Sequence, residues 1–301
     1  MNTDENPIKK KLYGYKKHFS DFCNLFNLQI VPKILMLSGK KGQGKFTFIQ
    51  HIIAYYFDKN NYDINLRTIN INNKLYDLKD NSNIDVLYFP CDKNIKIDDI
   101  RELRKKLQKS SLSNNNRFII FDDVENLNIN CVNALLKTIE EPSKTNYFIL
   151  INNENKPLID TIRSRTIEIK FFLNKNENSE IIKNLISDFK VDYKSTLDDY
   201  SLTPGKFLKY NEILNDEKLN FNDKTLINLQ KLLKLHKVKK NSDYLNLSIY
   251  LINRFYFNKS KDLNLIEECN NERSYISKKI YDYDRLNLNQ SSLISELENY
   301  F

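Results

Sequence analysis

The sequence lacks the marks of a membrane or secreted protein. No apolar run among its 301 residues approaches the roughly 20 residues that a membrane-spanning helix needs. Residues 1–7 have no apolar segment following a basic one, so no secretory signal is expected. These absences favour a cytoplasmic protein with no membrane contact.

Cysteine and histidine are few and widely spaced. The four cysteines and three histidines are Cys23, Cys91, Cys131, Cys269, His18, His51 and His236. No two of the cysteines have the close spacing of a zinc-binding pair, and their spread does not suggest a disulfide framework. We expect a reduced, cytoplasmic protein with no metal site.

The formal net charge of +8 is distributed unevenly. Residues 1–172 carry 27 basic against 20 acidic side chains, whereas residues 173–301 carry 20 against 19. A basic excess of this kind suits a nucleic-acid partner. However, nearly all the basic residues are lysines in a chain rich in Asn, Lys and Ile, as a gene with strong A+T bias would encode. Both interpretations of the charge stay open.

Short apolar runs rich in β-branched or aromatic residues punctuate the first 172 residues. They cover residues 34–38, 84–89, 118–122, 147–151 and 167–172. Segments with apolar residues at helical spacing separate most of them. Strands that alternate with helices predict an α/β domain with a five-stranded parallel sheet and helices on both faces.

The remaining segments follow other patterns. Residues 58–83 are rich in Asn and loosely alternating, which suggests an insertion or a hairpin at the edge of the sheet. From residue 173 onwards, helical spacing replaces strand patterns. We expect a small helical domain at 173–212 and a larger helical domain at 213–301.

A glycine-rich segment after the first apolar run has the pattern of a phosphate-binding loop. Gly39, Gly42, Gly44 and Lys45 fit G-x-x-x-x-G-K between a predicted strand and a predicted helix. Glycines allow backbone N–H groups to close around phosphate oxygens, and Lys45 would reach the outer phosphates. A lysine-rich chain can match by chance, but the strand–loop–helix context favours a nucleotide-binding fold.

The residue after the loop lysine departs from this pattern. A Ser or Thr there would bind Mg²⁺ through its hydroxyl, whereas this chain has Phe46. Thr47 follows, but one helical step turns a side chain by about 100°, which makes it a poor substitute. Because Mg²⁺ neutralises the β- and γ-phosphates, the sequence predicts weak or absent ATP hydrolysis. Binding of ATP with Mg²⁺ stays open.

Two acidic residues end the third apolar run. Asp122 stands where phosphate-loop ATPases hold their metal, and Asp123 stands where active ones usually have a Glu. Asp is shorter by one methylene, and catalysis is sensitive to displacements of about 1 Å. Capping of the next turn would explain both acids as simply. After the fourth run, Asn152 is a candidate sensor of the γ-phosphate, with Asn153 as an equal rival.

An arginine stands just before the fifth run. Arg165 follows Ser164 at the predicted edge of the sheet, where a neighbouring subunit could face it. A guanidinium is permanently charged and suits two-point contact with phosphate. Supplied to ATP on a neighbour, such an arginine raises hydrolysis by about 10³–10⁵. An ordinary surface arginine is the alternative.

Several of these segments together resemble one family. Residues 84–172 resemble the δ′ subunits of bacterial DNA polymerase III, which belong to the AAA+ sliding-clamp loaders. The matching segments are Asp122-Asp123, Asn-Ala-Leu-Leu-Lys at 133–137, Glu-Glu-Pro at 140–142 and Ile-Arg-Ser-Arg at 162–165. Residues 12–15 and 203–206 also look like segments of this family. The resemblance is firm over 12–172 and thin beyond 212.

The resemblance implies an AAA+ module at 1–172, an all-α lid at 173–212 and an all-α collar at 213–301 that helps to assemble a five-membered ring. It implies motor (gamma/tau) and delta subunits as partners and, through the complex, the sliding clamp and primer-template DNA. Arg165, with Ser164, matches the family's trans-acting arginine motif, whose cysteine is replaced by Thr166. Such a chain belongs to the DNA-directed DNA polymerase holoenzyme and has little or no ATPase activity itself.

The sequence departs from many members of this family in one feature, and two alternative functions stay open. Many relatives carry a four-cysteine zinc module, but residues 46–90 contain no cysteine, so no zinc is expected. A gamma/tau-like motor subunit is one alternative, although Phe46, Asp123 and the missing cysteines argue against it. A DNA-binding AAA+ protein that grips duplex DNA through its basic module is the other. Strongly salt-dependent DNA binding by the chain alone would favour it.

Overall fold

A computed structural model describes residues 9–60, 62–70, 78, 85–91, 95–108, 116–140, 143–189, 202–220, 223–262 and 265–301. The chain divides into two compact units. The first comprises Met1–Ile181 with Thr203–Gly205, and the second comprises Ile182–Leu202 with Lys206–Phe301. Within the described ranges the strands all belong to the first unit, and none of the helices is long and apolar enough to span a bilayer.

The first unit is built on a parallel sheet. Its strands are β1 (Lys9–Lys11), β2 (Ile34–Ser38), β3 (Thr68–Asn70), β4 (Val86–Pro90), β5 (Arg117–Asp122), β6 (Asn146–Asn152) and β7 (Ile167–Lys170). Five of them form one sheet in the order β4-β5-β6-β2-β7, and all its pairings are parallel. The predicted five-stranded parallel sheet is therefore confirmed.

The two remaining strands form a separate ribbon. β1 pairs with β3 in antiparallel fashion, with Lys10 opposite Ile69. Residues 58–83 were expected to form an insertion or a hairpin at the sheet's edge. In their described part an isolated antiparallel bridge joins Asp63 to Thr68, and Thr68–Asn70 pairs with the N-terminal strand instead of with the five-stranded sheet. Residues 71–77 and 79–84 lie outside the described ranges.

Helices cover both faces of the five-stranded sheet. They are α1 (Lys16–Asn27), α2 (Lys45–Phe57), α3 (Ile97–Gln108), α4 (Ile129–Ile139) and the short α5 (Asp160–Arg163). Successive strand residues alternate between two cores, as the strand period of two requires. In β5, Phe118 and Ile120 join the core that contains α1 and α2, whereas Ile119 and Phe121 join the core with α3 and α4.

The second unit is helical throughout its described part. α6 (Lys175–Phe189) and α7 (Pro204–Asp216) begin in the first unit and continue into the second, and α8 (Thr225–Lys239), α9 (Ser242–Lys259), α10 (Ile266–Leu286) and α11 (Gln290–Leu297) follow. Leu229, Leu232 and Leu233 of α8 are fully buried in one core. The predicted all-helical region is confirmed, while the division into a lid at 173–212 and a collar at 213–301 stays a prediction.

Candidate functional site

The phosphate-loop segment lies where the strand order of the sheet reverses. β2 stands between β6 and β7, and ligands of open α/β sheets bind at the carboxyl ends of strands around such a reversal. The N–H of Gly39 donates to the carbonyl of Asn152 over 3.2 Å, which joins the loop to the end of β6. Lys45 then opens α2. The expected strand–loop–helix arrangement of Gly39, Gly42, Gly44 and Lys45 is present.

Lys45 is buried within its own loop. The residue is only 3% exposed. Its Nζ donates to the carbonyl of Gly39 and, over 3.0 Å, to the carbonyl of Lys40. Burial lowers the pKa of Lys45 to about 8, although the carboxylates of Asp122 and Glu125 oppose this effect. The ammonium is therefore held by loop carbonyls at the edge of an acidic cluster.

A distant segment packs against the same loop. The hydroxyl of Thr203 donates to the carbonyl of Lys41 over 2.7 Å, and the N–H of Gly205 donates to the carbonyl of Gly42 over 2.8 Å. A Cβ at position 205 would lie 2.8 Å from the Cα of Gly42 and 2.9 Å from its carbonyl oxygen. Only glycine allows this approach, which fixes the Thr203–Gly205 segment on the backbone of the loop.

Asp122 is engaged by neutral donors on two sides. The hydroxyl of Tyr88 donates to its Oδ2 over 3.0 Å, and the amide of Asn153 donates to its Oδ1 over 3.3 Å. Burial and the neighbouring charge of Asp123 raise the pKa of Asp122. The carboxylate is thus already hydrogen-bonded at both oxygens within the protein.

Asp123 adopts a left-handed backbone conformation with φ 61° and is tied down by two neighbours. Lys41 Nζ lies 2.9 Å from its Oδ2, and the amide of Asn153 donates to its Oδ1 over 2.7 Å. Buried Glu125 accepts from the backbone N–H groups of Asn153 and Asn155 at 3.2 and 3.3 Å. The carboxylates of Asp123 and Glu125 therefore bind the residues that follow β6, and Asp123 also binds the phosphate-loop segment through Lys41.

The two asparagines after β6 have different surroundings. The amide of Asn152 donates to the hydroxyl of Ser38 over 3.4 Å, and its Oδ1 accepts from the N–H of Glu154 over 3.0 Å. Asn153, its rival in the sequence analysis, contacts Asp122 and Asp123. The assignment of Asn152 as a γ-phosphate sensor stays a prediction. The asparagine whose side chain contacts Asp122 and Asp123 is Asn153.

Phe46 fills the position of the usual Mg²⁺ ligand with a hydrocarbon ring. It packs edge-on against Tyr88, with ring centroids 5.2 Å apart and planes at 66°. Tyr88 in turn donates to Asp122, so one aromatic pair connects α2 to the acidic strand end. Thr47 is half-buried on the next helical step. A hydrocarbon ring supplies no oxygen to Mg²⁺, which requires oxygen ligands in octahedral geometry.

Arg165 lies apart from these contacts. It follows α5 directly before β7, and its side chain is 39% exposed. Its Nε donates to Glu140 Oε1 over 3.0 Å, and its Nη1 donates to the carbonyl of Thr161 over 3.2 Å and to Ser164 Oγ over 3.4 Å. Among the described residues, these partners include none from the phosphate loop. The guanidinium is therefore oriented locally and remains partly open to solvent.

Sequence reasoning missed three of these partners. Glu140 was recognised only as part of a motif, and its companions Glu141 and Pro142 lie outside the described residues. Tyr88 was placed in a strand without a role, and the contact of Gly205 with the loop gave no local signal. In the described part of the chain, no group of three or more His, Cys, Asp or Glu could hold a metal ion.

Comparison with known proteins identifies the family. The family model described as DNA polymerase III, delta subunit, matches residues 15–175. This match covers just over half of the 301 residues. The chain therefore belongs to this family of DNA polymerase III clamp-loader subunits, which are AAA+ proteins.

Relatives of two kinds match the chain. The gamma subunit of DNA polymerase III from Buchnera aphidicola (Schizaphis graminum) is 26% identical over 199 residues, which is 64% of this chain and 54% of that protein. The delta' subunit from the same organism is 33% identical over 101 residues, 30% of this chain and 31% of that protein. The alignments thus span about half and about a third of these relatives, and they include both kinds of subunit.

A solved structure gives a looser likeness. The gamma subunit-related protein of DNA polymerase III from Thermotoga maritima aligns over 91% of this chain and 96% of that chain. The identity is 19% and the TM-score is 0.48, too low to bear on function.

Proposed function

We propose that this clamp-loader family member is a δ′ subunit, which assembles with motor subunits and does not hydrolyse ATP efficiently itself. The observation that carries this proposal is the pairing of Phe46 with Tyr88. Phe46 replaces the hydroxyl that would bind Mg²⁺, and Tyr88 takes an oxygen of the metal-holding candidate Asp122. Without Mg²⁺ in place, the charge that develops on transferred phosphate is not neutralised.

The proposal assigns Arg165 a role at the ATP of a neighbouring subunit. Its guanidinium is partly exposed, and its described partners are Glu140 and residues of its own turn. A charged group held at a surface by one carboxylate can exchange that partner for phosphate at modest cost, since exposed ion pairs contribute about 0–1 kcal/mol. Ser164 would shape the turn that presents it, because its hydroxyl donates to Thr161 and accepts from Arg165.

The proposed partners follow from this assignment. The chain would join motor (gamma/tau) and delta subunits in the ring that loads the sliding clamp on primer-template DNA. Its helical region would provide the lid at 173–212 and the collar at 213–301. ATP with Mg²⁺ would not be needed at Gly39–Lys45 for this role, and no zinc would be needed.

A gamma/tau-like motor is the second candidate, and two observations favour it. The loop glycines and Lys45 are all present, and the Buchnera gamma subunit matches 64% of this chain. A motor would have to bind ATP at Lys45 and hydrolyse it despite Phe46.

Steady-state ATP turnover separates the two candidates. It would be measured for the chain alone and for the chain mixed with the cognate motor and delta subunits, clamp and primed DNA. We expect no turnover above background for the chain alone and a stimulated rate in the complete mixture that drops when the chain is left out. Turnover by the chain alone that Lys45→Met abolishes would instead make it a motor.

A further inference from the structure

Helix α8 differs in charge from every other helix of the C-terminal region. Its fifteen residues, Thr225–Lys239, contain four lysines and no Asp or Glu. Each of α6, α7, α9, α10 and α11 contains at least one acidic residue. Residues 173–301 as a whole are almost neutral, with 20 basic and 19 acidic side chains. The helix is therefore more basic than the average of residues 173–301.

The lysines lie on the solvent side of this helix. Leu229, Leu232 and Leu233 point into the core with exposures of 0%. At 100° per residue, Lys231 and Lys234 lie roughly 150° from the mean direction of these leucines and Lys237 roughly 90° from it, and all three are exposed. We call these three lysines the α8 basic face.

Nearby acidic side chains do not neutralise the α8 basic face. Glu217 pairs with Lys239, and Asp284 pairs with His236. Glu298 accepts from Gln230 over 3.3 Å. Within the described residues, none of the three lysines of the α8 basic face has an ion pair. Three like charges on one helix are therefore without a direct carboxylate partner in the described part of the chain.

The spacing of these charges fits a nucleic-acid backbone. Lys231 and Lys237 are six residues apart, which is about 9 Å along the helix axis. Duplex DNA carries one charge per about 1.7 Å of its axis, so about five phosphates fall within that length. Three flexible lysine side chains can each reach one of them.

The neighbouring side chains favour a duplex over a single strand. Proteins that bind single strands stack bases on aromatic side chains, and α8 contains no Phe, Tyr or Trp. The exposed apolar residues on this side are Ile227 at 42% and Val238 at 79%. Aliphatic side chains offer no stacking platform, so contact through phosphates is the mode that this helix supports.

We propose that the α8 basic face binds the phosphate backbone of duplex DNA. This inference goes beyond the proposed role of the chain in the ring and beyond the arginine at position 165. It also differs from the alternative in which the N-terminal module grips DNA, because it assigns the contact to a helix of the second unit.

The test uses the full chain and a short fluorescent DNA duplex, with binding measured by anisotropy over a series of salt concentrations. The variant replaces Lys231, Lys234 and Lys237 with Gln. The control replaces three exposed lysines of the same unit that lie near acidic residues in sequence, Lys218, Lys261 and Lys278, and so has the same net charge.

We expect the α8 variant to lose at least about tenfold in affinity and its plot of log K against log salt to flatten by about 2.7, at about 0.9 per lost phosphate contact. The control should stay close to wild type. Equal losses in both variants, an unchanged α8 variant, no measurable duplex binding, or tighter binding of the single strand would each overturn the proposal. So would an α8 variant that binds DNA normally but no longer assembles with the other subunits, since the face would then serve a protein partner. Circular dichroism of both variants would establish that they are folded.

Discussion

Replacement of Lys45 tests how its buried ammonium affects the stability of the folded chain. Burial lowers the pKa of Lys45 from 10.5 to about 8. At about 1.36 kcal/mol per pH unit, this difference corresponds to about 3 kcal/mol. The folded chain bears this cost at neutral pH, because it keeps a desolvated ammonium against loop carbonyls.

Lys45→Met removes the charge and keeps an unbranched side chain of similar volume. The variant also loses the hydrogen bonds to the carbonyls of Gly39 and Lys40, each worth about 1.5–3 kcal/mol because the donor is charged. At neutral pH these losses offset or exceed the gain from removing the buried charge, so we expect a free energy of unfolding lower than that of wild type by about 0–3 kcal/mol. For a domain of 150–250 residues each kcal/mol corresponds to about 2–4 °C in Tm.

The difference in stability between wild type and Lys45→Met should depend on pH. Below pH 8, Lys45 is charged in both the folded and the unfolded chain, and the full cost is present. As pH rises from about 8 toward 10.5, the unfolded chain binds more protons, so the wild type gains stability relative to Lys45→Met. Thermal unfolding followed by circular dichroism at neutral and at alkaline pH measures both quantities.

Lys40→Met is the matched control, because Lys40 is an exposed lysine of the same loop. Its Tm should stay within the change expected for about 0.5 kcal/mol. A Lys45→Met variant that is clearly more stable than wild type at neutral pH would refute this expectation. A difference that stays constant across the alkaline window would also refute it.

Two further substitutions test the surroundings of the loop. Gly205→Ala should lower the free energy of unfolding by about 1–3 kcal/mol, since its Cβ would lie 2.8 Å from the Cα of Gly42; an unchanged Tm would contradict the close approach. Asp122→Asn should stabilise the chain at neutral pH, because burial and Asp123 raise the pKa of Asp122 and make its charged form costly. That advantage should disappear below pH 3.8, where the carboxyl is protonated in both states; urea unfolding that shows no gain at neutral pH would contradict it.

The parallel sheet could be predicted from the sequence because each buried strand is a compact apolar run. β2 has the predicted bounds, and its residues alternate between two cores, with Leu35 and Leu37 in one and Met36 in the other. Burial on both faces leaves few polar positions in such strands, which makes them conspicuous. β1 could not be predicted, because its three lysines carry no apolar signal and its pairing with β3 is set by distant residues.

The sequence predicted which residues form the candidate site, but it did not predict which side chains contact one another there. Tyr88 reaches Asp122 only because β4 and β5 pair with Tyr88 opposite Ile120 and Pro90 opposite Asp122. The partnership of Arg165 with Glu140 depends on α4 and α5 meeting across 25 residues of chain. Such contacts depend on register and helix packing, which local patterns do not encode.

The measurement that tests the central claim most directly is ATP turnover in the complete mixture of motor and delta subunits, clamp and primed DNA, with Arg165→Ala in place of this chain. An arginine supplied in trans is worth about 10³–10⁵ at the site it serves. The account therefore predicts that the share of turnover from that site disappears while the complex still assembles. Arg163→Ala, a change at an exposed arginine two residues away, is the control and should leave turnover intact. Full turnover with Arg165→Ala in an assembled complex would contradict the account.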